Sequence, residues 1–384
     1  MRSVRTRRAG TEGALRRSPV SALPQLHQIV LPTPWDGEVV QVYAIEGDPV
    51  TLIDTGLDSE PSLVALESAL DQLGVGLDEI GRVVLTHYHR DHMGAVQALR
   101  NRGAALEVWA HLDEVPMIEQ YSIEREERIE DTGRLLSEYG VPEEIVARQT
   151  EWLQKRLRQL PVLCEPTRVD RVVRDRDRIP FKDFEFEVIH TPGHTAGHIV
   201  LHEQESGTLL SGDHIIAEAV PSTENYYVEG VPDPADQLGR RPRFKGLPEY
   251  LKSVRRLRGR AFRKILPAQG TVLGRAARLI EDSLLYYEVR VHRLDRGLRK
   301  LEAMGQEVTG WELWMALFPD VDPVEDMRVR MLMVIGALDV LEESGSCLTS
   351  RRADGVLVHR HAGRPAGSRA GRRLRREAGG TTEQ

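Results

Sequence analysis

The apolar positions of the chain begin as short runs of strand length, at residues 26–31, 39–45 and 50–53. The period then lengthens, with Leu63, Val64, Leu66 and Leu70 recurring at helical spacing within 61–73. Residues 83–86 read as a buried strand, 92–102 as a helix and 106–110 as a further strand. Strands alternating with helices predict a layered α/β domain. Between about 113 and 165 the pattern turns highly charged, with helices expected at 124–139 and 142–160. This segment reads as a helical insertion, and insertions near a site often serve as lids. Strand signals return at 168–173, 184–190, 198–202 and 208–211. A polar stretch over 219–247 reads as a long loop, and a helix at 248–257 and a strand at 264–266 close the domain.

Beyond about 274 the alternation stops. Helices are expected at 278–304, 311–318 and 324–343, then a strand pair at 347–349 and 356–358. Three helices followed by a β-ribbon is the order of a winged helix. The expected division is a disordered basic extension (1–22), an α/β domain (23–275), a mostly helical domain (276–360) and a disordered basic tail (361–384).

Composition narrows the class. Of the 384 residues, 40% are hydrophobic and 29% charged, as in an ordinary soluble protein. No apolar run approaches the length of about 18 residues that a membrane span needs. Cys164 and Cys347 are the only cysteines, too few and too far apart for a disulfide framework. With no secretory signal pattern, the expected location is the cytoplasm. The net charge is −7, yet residues 1–17 and 360–384 each carry +5, leaving −17 for the body between them. A body so acidic is a poor generic binder of nucleic acid.

The chemistry is concentrated in Thr86-His87-Tyr88-His89-Arg90-Asp91-His92, directly after an apolar strand. His87 and His89 are two residues apart, so extended backbone points both imidazoles the same way. Asp91 and His92 follow at the turn into the next helix and can face a neighbouring position. Imidazole and carboxylate together select a zinc-type cation. In 190–198, His194 lies at the tip of a Pro-Gly turn and could add a third nitrogen. Asp213 ends a strand and could bridge two cations or cap a helix. Asp54 repeats the strand-then-Asp arrangement and is placed to orient a ligand histidine.

In this order, the four elements resemble the metallo-β-lactamase superfamily over roughly residues 23 to 274. The resemblance implies a four-layer αββα sandwich with the site at one edge of its two sheets. It implies that His87, His89 and His194 hold a first metal, that Asp91 and His92 belong to a second, and that Asp213 bridges them. One position departs. The family's last histidine is replaced by Gln269, and an amide oxygen is a weaker ligand for zinc than imidazole. One secure Zn2+ site is therefore expected, beside a second that is weakened, takes a harder ion such as Mn2+ or Fe2+, or stays empty.

A bound cation lowers the pKa of its water and creates a hydroxide nucleophile, with Asp91 as the group to orient that water and accept its proton. The expected activity is metal-dependent hydrolysis of an anionic small-molecule ester or thioester of the acyl-CoA kind. Single-strand RNA cleavage and an iron-containing redox role are the alternatives. The basic run from Arg240 to Lys264 could hold phosphates, or be the solvated face of a helix. Tyr226, Tyr227 and Arg255 are candidate substrate contacts. The C-terminal region loosely resembles the winged-helix appendage of lactamase-beta-like hydrolases. The acidic 320–343 segment favours packing or homodimerisation there over reading nucleic acid.

Overall fold

Residues 14–16, 23–35, 38–159, 163–217, 219–272, 274–324 and 327–363 are described by the computed structural model. The two basic ends expected to be disordered lie almost wholly outside them. Within the expected N-terminal extension, β1 (Ala14–Arg16) pairs with the edge of β2 (Leu26–Pro32). The first sheet continues in order through β3 (Val39–Ile45), β4 (Val50–Ile53), β5 (Ile80–Val84), β6 (Glu107–His111) and β7 (Arg171–Val173). Its first four strands are antiparallel, and the pairs from β4 to β7 are parallel.

The second sheet holds β8 (Arg178–Pro180), β9 (Glu185–His190), β10 (Ile199–Glu203) and β11 (Thr208–Gly212). Next, β12 (Asn225–Tyr227) and β13 (Arg243–Lys245) form a separate ribbon inside the stretch expected to be a loop. Then β14 (Lys264–Pro267) joins the second sheet, parallel to β11.

Alternation along these strands builds three apolar layers. Val42, Leu52, Val83 and Val108 point to one face of the first sheet, under Leu66 and Leu70 of α1 (Glu60–Leu73). Their neighbours Tyr43, Ile53, Val84 and Trp109 point the other way and meet Phe186, Val188, Leu201 and Leu210 of the second sheet. Ile189, Val200, Leu209 and Ile265 occupy the far face of that sheet. A side-chain period of two thus assigns each strand residue to a core and stacks helix, sheet, sheet and helix.

The helix expected at 92–102 is broken into α2 (Arg90–Met93) and α3 (Val96–Asn101). The break frees the His92 carbonyl to accept Thr55 N–H at 2.7 Å, and Ala95 N–H reaches the Gly56 carbonyl at 3.0 Å. The insertion comprises α4 (Val115–Glu119), α5 (Tyr121–Glu138) and α6 (Glu143–Gln159).

On the far face of the second sheet lies α7 (Gly246–Leu257), which packs against α8 (Ala276–Ala303) and α10 (Met327–Glu343). With α9 (Gly310–Leu317), β15 (Cys347–Arg351) and β16 (Leu357–His361), the C-terminal region is three helices and a ribbon. One apolar core runs from the sheet through α7 into α8, α9 and α10. Arg243 of β13 adds a buried ion pair to Asp339 of α10, which also accepts from Asn225 at 3.3 Å. No helix among the described residues is long and apolar enough to cross a membrane.

Candidate metal centre

The site lies where the chain leaves its strands. Asp54 follows β4 with φ +58°, a left-handed conformation that aspartate tolerates better than bulkier residues. This turn aims its carboxylate at the loop after β5. One oxygen accepts Thr86 N–H at 2.8 Å; the other accepts the Thr86 hydroxyl at 2.8 Å and His92 Nδ1 at 2.8 Å. Because the Thr86 hydroxyl donates to Asp54, its oxygen is left to accept from His87 Nδ1 at 3.1 Å. Asp54 therefore orients His92 directly and His87 through Thr86, and each imidazole turns Nε2 inward.

His194 Nδ1 donates to the Ser222 carbonyl at 2.8 Å, so its Nε2 carries a lone pair. His89 Nε2 lies 3.6 Å from Glu224, leaving Nδ1 to face inward. His87 Nε2 and His194 Nε2 each lie 3.0 Å from His89 Nδ1. Tetrahedral ligands at zinc–nitrogen lengths would stand about 3.3 Å apart, so this convergence fits a metal ion. Burial, then the neighbouring imidazoles, holds His87 well below its ordinary value. Burial and His89 bring His194 down to about 4. Both rings are neutral near pH 7, the form a metal requires.

The second group is built differently. His92 Nε2 is 3.6 Å from both Asp91 Oδ2 and Asp213 Oδ2, and Asp213 Oδ2 is 3.7 Å from His194 Nε2. Asp213 therefore stands between the two groups. Among the described residues, buried His92 Nε2 and Asp213 Oδ1 have no hydrogen-bond partner, as expected of atoms that face a cation. His87, His92 and Asp213 offer ligand atoms within 4.8 Å of one another, as do His87, His89 and His194. Burial opposes charge on His92, but Asp213, Asp91 and Asp54 outweigh it and raise the imidazole well above its usual value. Gln269 Nε2 donates to Asp91 Oδ2 at 3.2 Å and to Asp213 Oδ2 at 3.1 Å. Its amide thus links the two carboxylates of this half. His214, the neighbour of Asp213, is turned instead towards His198 and Tyr250.

Two carboxylates in the site escaped sequence reasoning. Glu114 follows β6 and accepts Tyr88 N–H at 2.7 Å, the Thr195 hydroxyl at 2.7 Å and Gly197 N–H at 2.6 Å. It ties the histidine loop of 86–92 to the turn carrying His194. Burial pushes it up to about 7 against these three donors. Gly197 is required there, since a Cβ would stand 2.7 Å from the Glu114 side chain and 2.8 Å from its backbone nitrogen. Gly193, at φ +140°, lets the same turn press against the Tyr250 backbone. Glu224 receives the Tyr88 hydroxyl and Arg128 at 3.0 Å. Burial opposes its charge, but Arg128 outweighs it and holds the carboxyl down at about 2. Neither glutamate stands in a motif, and the charged run around 113–160 masks Glu114.

Of the candidate substrate contacts, Tyr226 is half-buried with its ring 3.7 Å from the Arg128 guanidinium, and Tyr227 is buried. Both line a cavity of about 1090 Å³ beside the site. Arg255 lines none of the described cavities and pairs with Glu288 on α8 at 3.2 Å. The basic run is similarly engaged. Arg240 pairs with Asp236 and Glu342, Arg256 with Asp175, Arg258 with Glu281, and Arg260 with Glu187. These cations pair with the chain's own acids at the surface, whereas Arg241, Arg243 and Lys245 of the same run line the cavity of about 1090 Å³.

Comparison with known proteins bears on the family. The sequence profile described as the Metallo-beta-lactamase superfamily matches residues 35–268. A Bacillus subtilis (strain 168) protein named Probable metallo-hydrolase YqjP is 30% identical over 314 residues, spanning 82% of this chain and 91% of its own. A hydroxyacylglutathione hydrolase of Brucella anthropi is 26% identical over 170 residues, 44% of this chain and 45% of its own. A metallo-beta-lactamase family protein from Thermus thermophilus shares the fold with a TM-score of 0.66 at 24% identity, covering 88% of this chain and 99% of that one. The three-histidine convergence, its supporting carboxylates and these likenesses lead to one assignment: the chain belongs to the metallo-β-lactamase superfamily and is a metallo-hydrolase.

Proposed function

We propose that this metallo-hydrolase cleaves an acyl ester or thioester, using one metal ion, zinc, held by His87, His89 and His194 with Asp213 beside them. The observation that carries the reading is the convergence of three imidazole nitrogens next to a partly apolar cavity that His89 also lines. When bound, the ion supplies Lewis-acid polarisation of the substrate carbonyl and a water that is readily deprotonated near neutral pH.

The protein's own groups do the rest. Asp91 takes the proton of the attacking water, and its Oδ2 is held by the Gln269 amide. Asp54 fixes His87 and His92, and Glu224 backs His89. Gln269 donates to both Asp91 and Asp213, so it offsets the carboxylate charge that a second cation would otherwise balance. The second half therefore binds metal weakly.

Similarity to proteins named hydroxyacylglutathione hydrolase supports a thioester substrate. The ribonuclease alternative would draw on Arg241, Arg243 and Lys245, which line the larger cavity, while Arg256, Arg258 and Arg260 pair with the chain's own acids. Turnover of acyl thioesters, lactones, a β-lactam and single-stranded RNA by the zinc-loaded protein tests the reading. Thioester cleavage abolished by His87→Ala is expected; cleavage of RNA with no thioester turnover would overturn it.

A further inference from the structure

We propose that the cavity of about 290 Å³ beside His89 is the pocket for the acyl chain of the substrate, an inference that rests on the thioester reading above. The helical insertion builds most of its wall. Met117 of α4, Ile129 of α5, and Leu153 and Leu157 of α6 line it. Leu153 and Leu157 are four residues apart and share one helical face. Ile129, Leu153 and Leu157 are only half-buried although apolar, whereas Glu130, Gln154 and Arg158 on the same helices are exposed. The apolar stripes of α5 and α6 therefore leave part of their surface for an apolar occupant.

The polar end of the cavity lies at the metal centre. Tyr88, His89, Arg128 and Glu224 form it. Arg128 donates to the Tyr88 hydroxyl at 2.8 Å and to Glu224 at 3.0 Å, so these two opposite charges are paired, and Arg90 and Arg328 also line the cavity. The occupant's reactive carbonyl would face His89 and its hydrocarbon tail would run between α5 and α6.

Size limits the occupant further. The volume is at the small end of the range for ligand pockets, about 300–1,000 Å³, so it suits an acyl chain but not a whole coenzyme. Met117 and Arg128 also line the larger cavity, so the two spaces adjoin at this wall. The thiol carrier would then remain outside the smaller pocket.

The test is a series of thioesters of one small thiol, N-acetylcysteamine, from acetyl to decanoyl, assayed with the zinc-loaded full chain. We expect kcat/KM to rise about fourfold per methylene, then level off where the pocket is full. Leu153→Trp should move that plateau to shorter chains, lowering octanoyl relative to acetyl turnover by about tenfold or more. A flat series with every thioester hydrolysed would overturn the pocket while leaving the thioester reading intact. If no member of the series is hydrolysed, that reading fails as well. The wild-type series decides the matter even if the tryptophan variant does not fold.

Discussion

One loop supplies His87 and His89 to one half of the candidate centre and Asp91 and His92 to the other, yet the electrostatics of the two halves are opposite. His87 and His194 are buried among other imidazoles, which keeps them neutral. His92 is equally buried but faces Asp213, Asp91 and Asp54, which favour its charged form. The first half turns three imidazole nitrogens to one point. The second presents carboxylates already linked by the Gln269 amide. Residue type within a short motif is thus a weaker guide to occupancy than the partners each side chain meets after folding.

Removing a ligand from the first half should have the largest effect. His87→Ala is expected to abolish both metal retention and hydrolysis, measured by elemental analysis and turnover of the same preparation. Retained metal at wild-type affinity would break the distinction between the halves.

Asp54 serves both halves, so its loss should weaken them together. Asp54→Asn leaves the carboxamide NH2 opposed to donors and is expected to lower metal affinity by about 10–100-fold in a chelator competition. Gln269→His sharpens the comparison from the other side. It replaces the amide by an imidazole and should raise tightly bound metal from one ion per chain towards two. Gln269→Ala, which frees both carboxylates without supplying a ligand, should bind a second ion more tightly than wild type but more weakly than Gln269→His.

The smallest effect is a difference in pH dependence of the metal-free protein. His194 is lowered to about 4, so between about pH 6.5 and 4 the unfolded chain binds more protons than the folded one. Stability from this group is lost as pH falls through that window. His92 is raised, so its contribution is present at low pH and is lost as pH rises through its folded value. Thermal melts should show His194→Asn flattening the acid side and His92→Asn the alkaline side. The same slope change from both variants would contradict the assignment of opposite charge states.

Much of this centre was legible before folding. His87, His89, Asp91 and His92 are close in sequence, and the alternation of strands places their loop at a sheet edge. The strands themselves were readable because each apolar residue goes to one of two buried faces, as Leu52 and Ile53 do. Glu114 and Glu224 were not readable. Each is a single acid without periodic or motif context, brought in by tertiary packing from α4's leading turn and from the start of the β12–β13 ribbon. That ribbon was missed because its three-residue strands lie in a stretch rich in proline and glycine. The partners of the basic run were not readable for a related reason: the acids that pair with it, among them Asp175, Glu187, Glu281 and Glu342, are distant in sequence.

The most direct measurement is zinc titration of the metal-free wild-type chain, monitored by competition with a chromophoric chelator and checked by native mass spectrometry. One zinc ion bound tightly per chain, with any second ion much weaker, is the predicted result. Two ions of similar high affinity, or none, would contradict the assignment of a single complete metal site beside one held closed by Gln269.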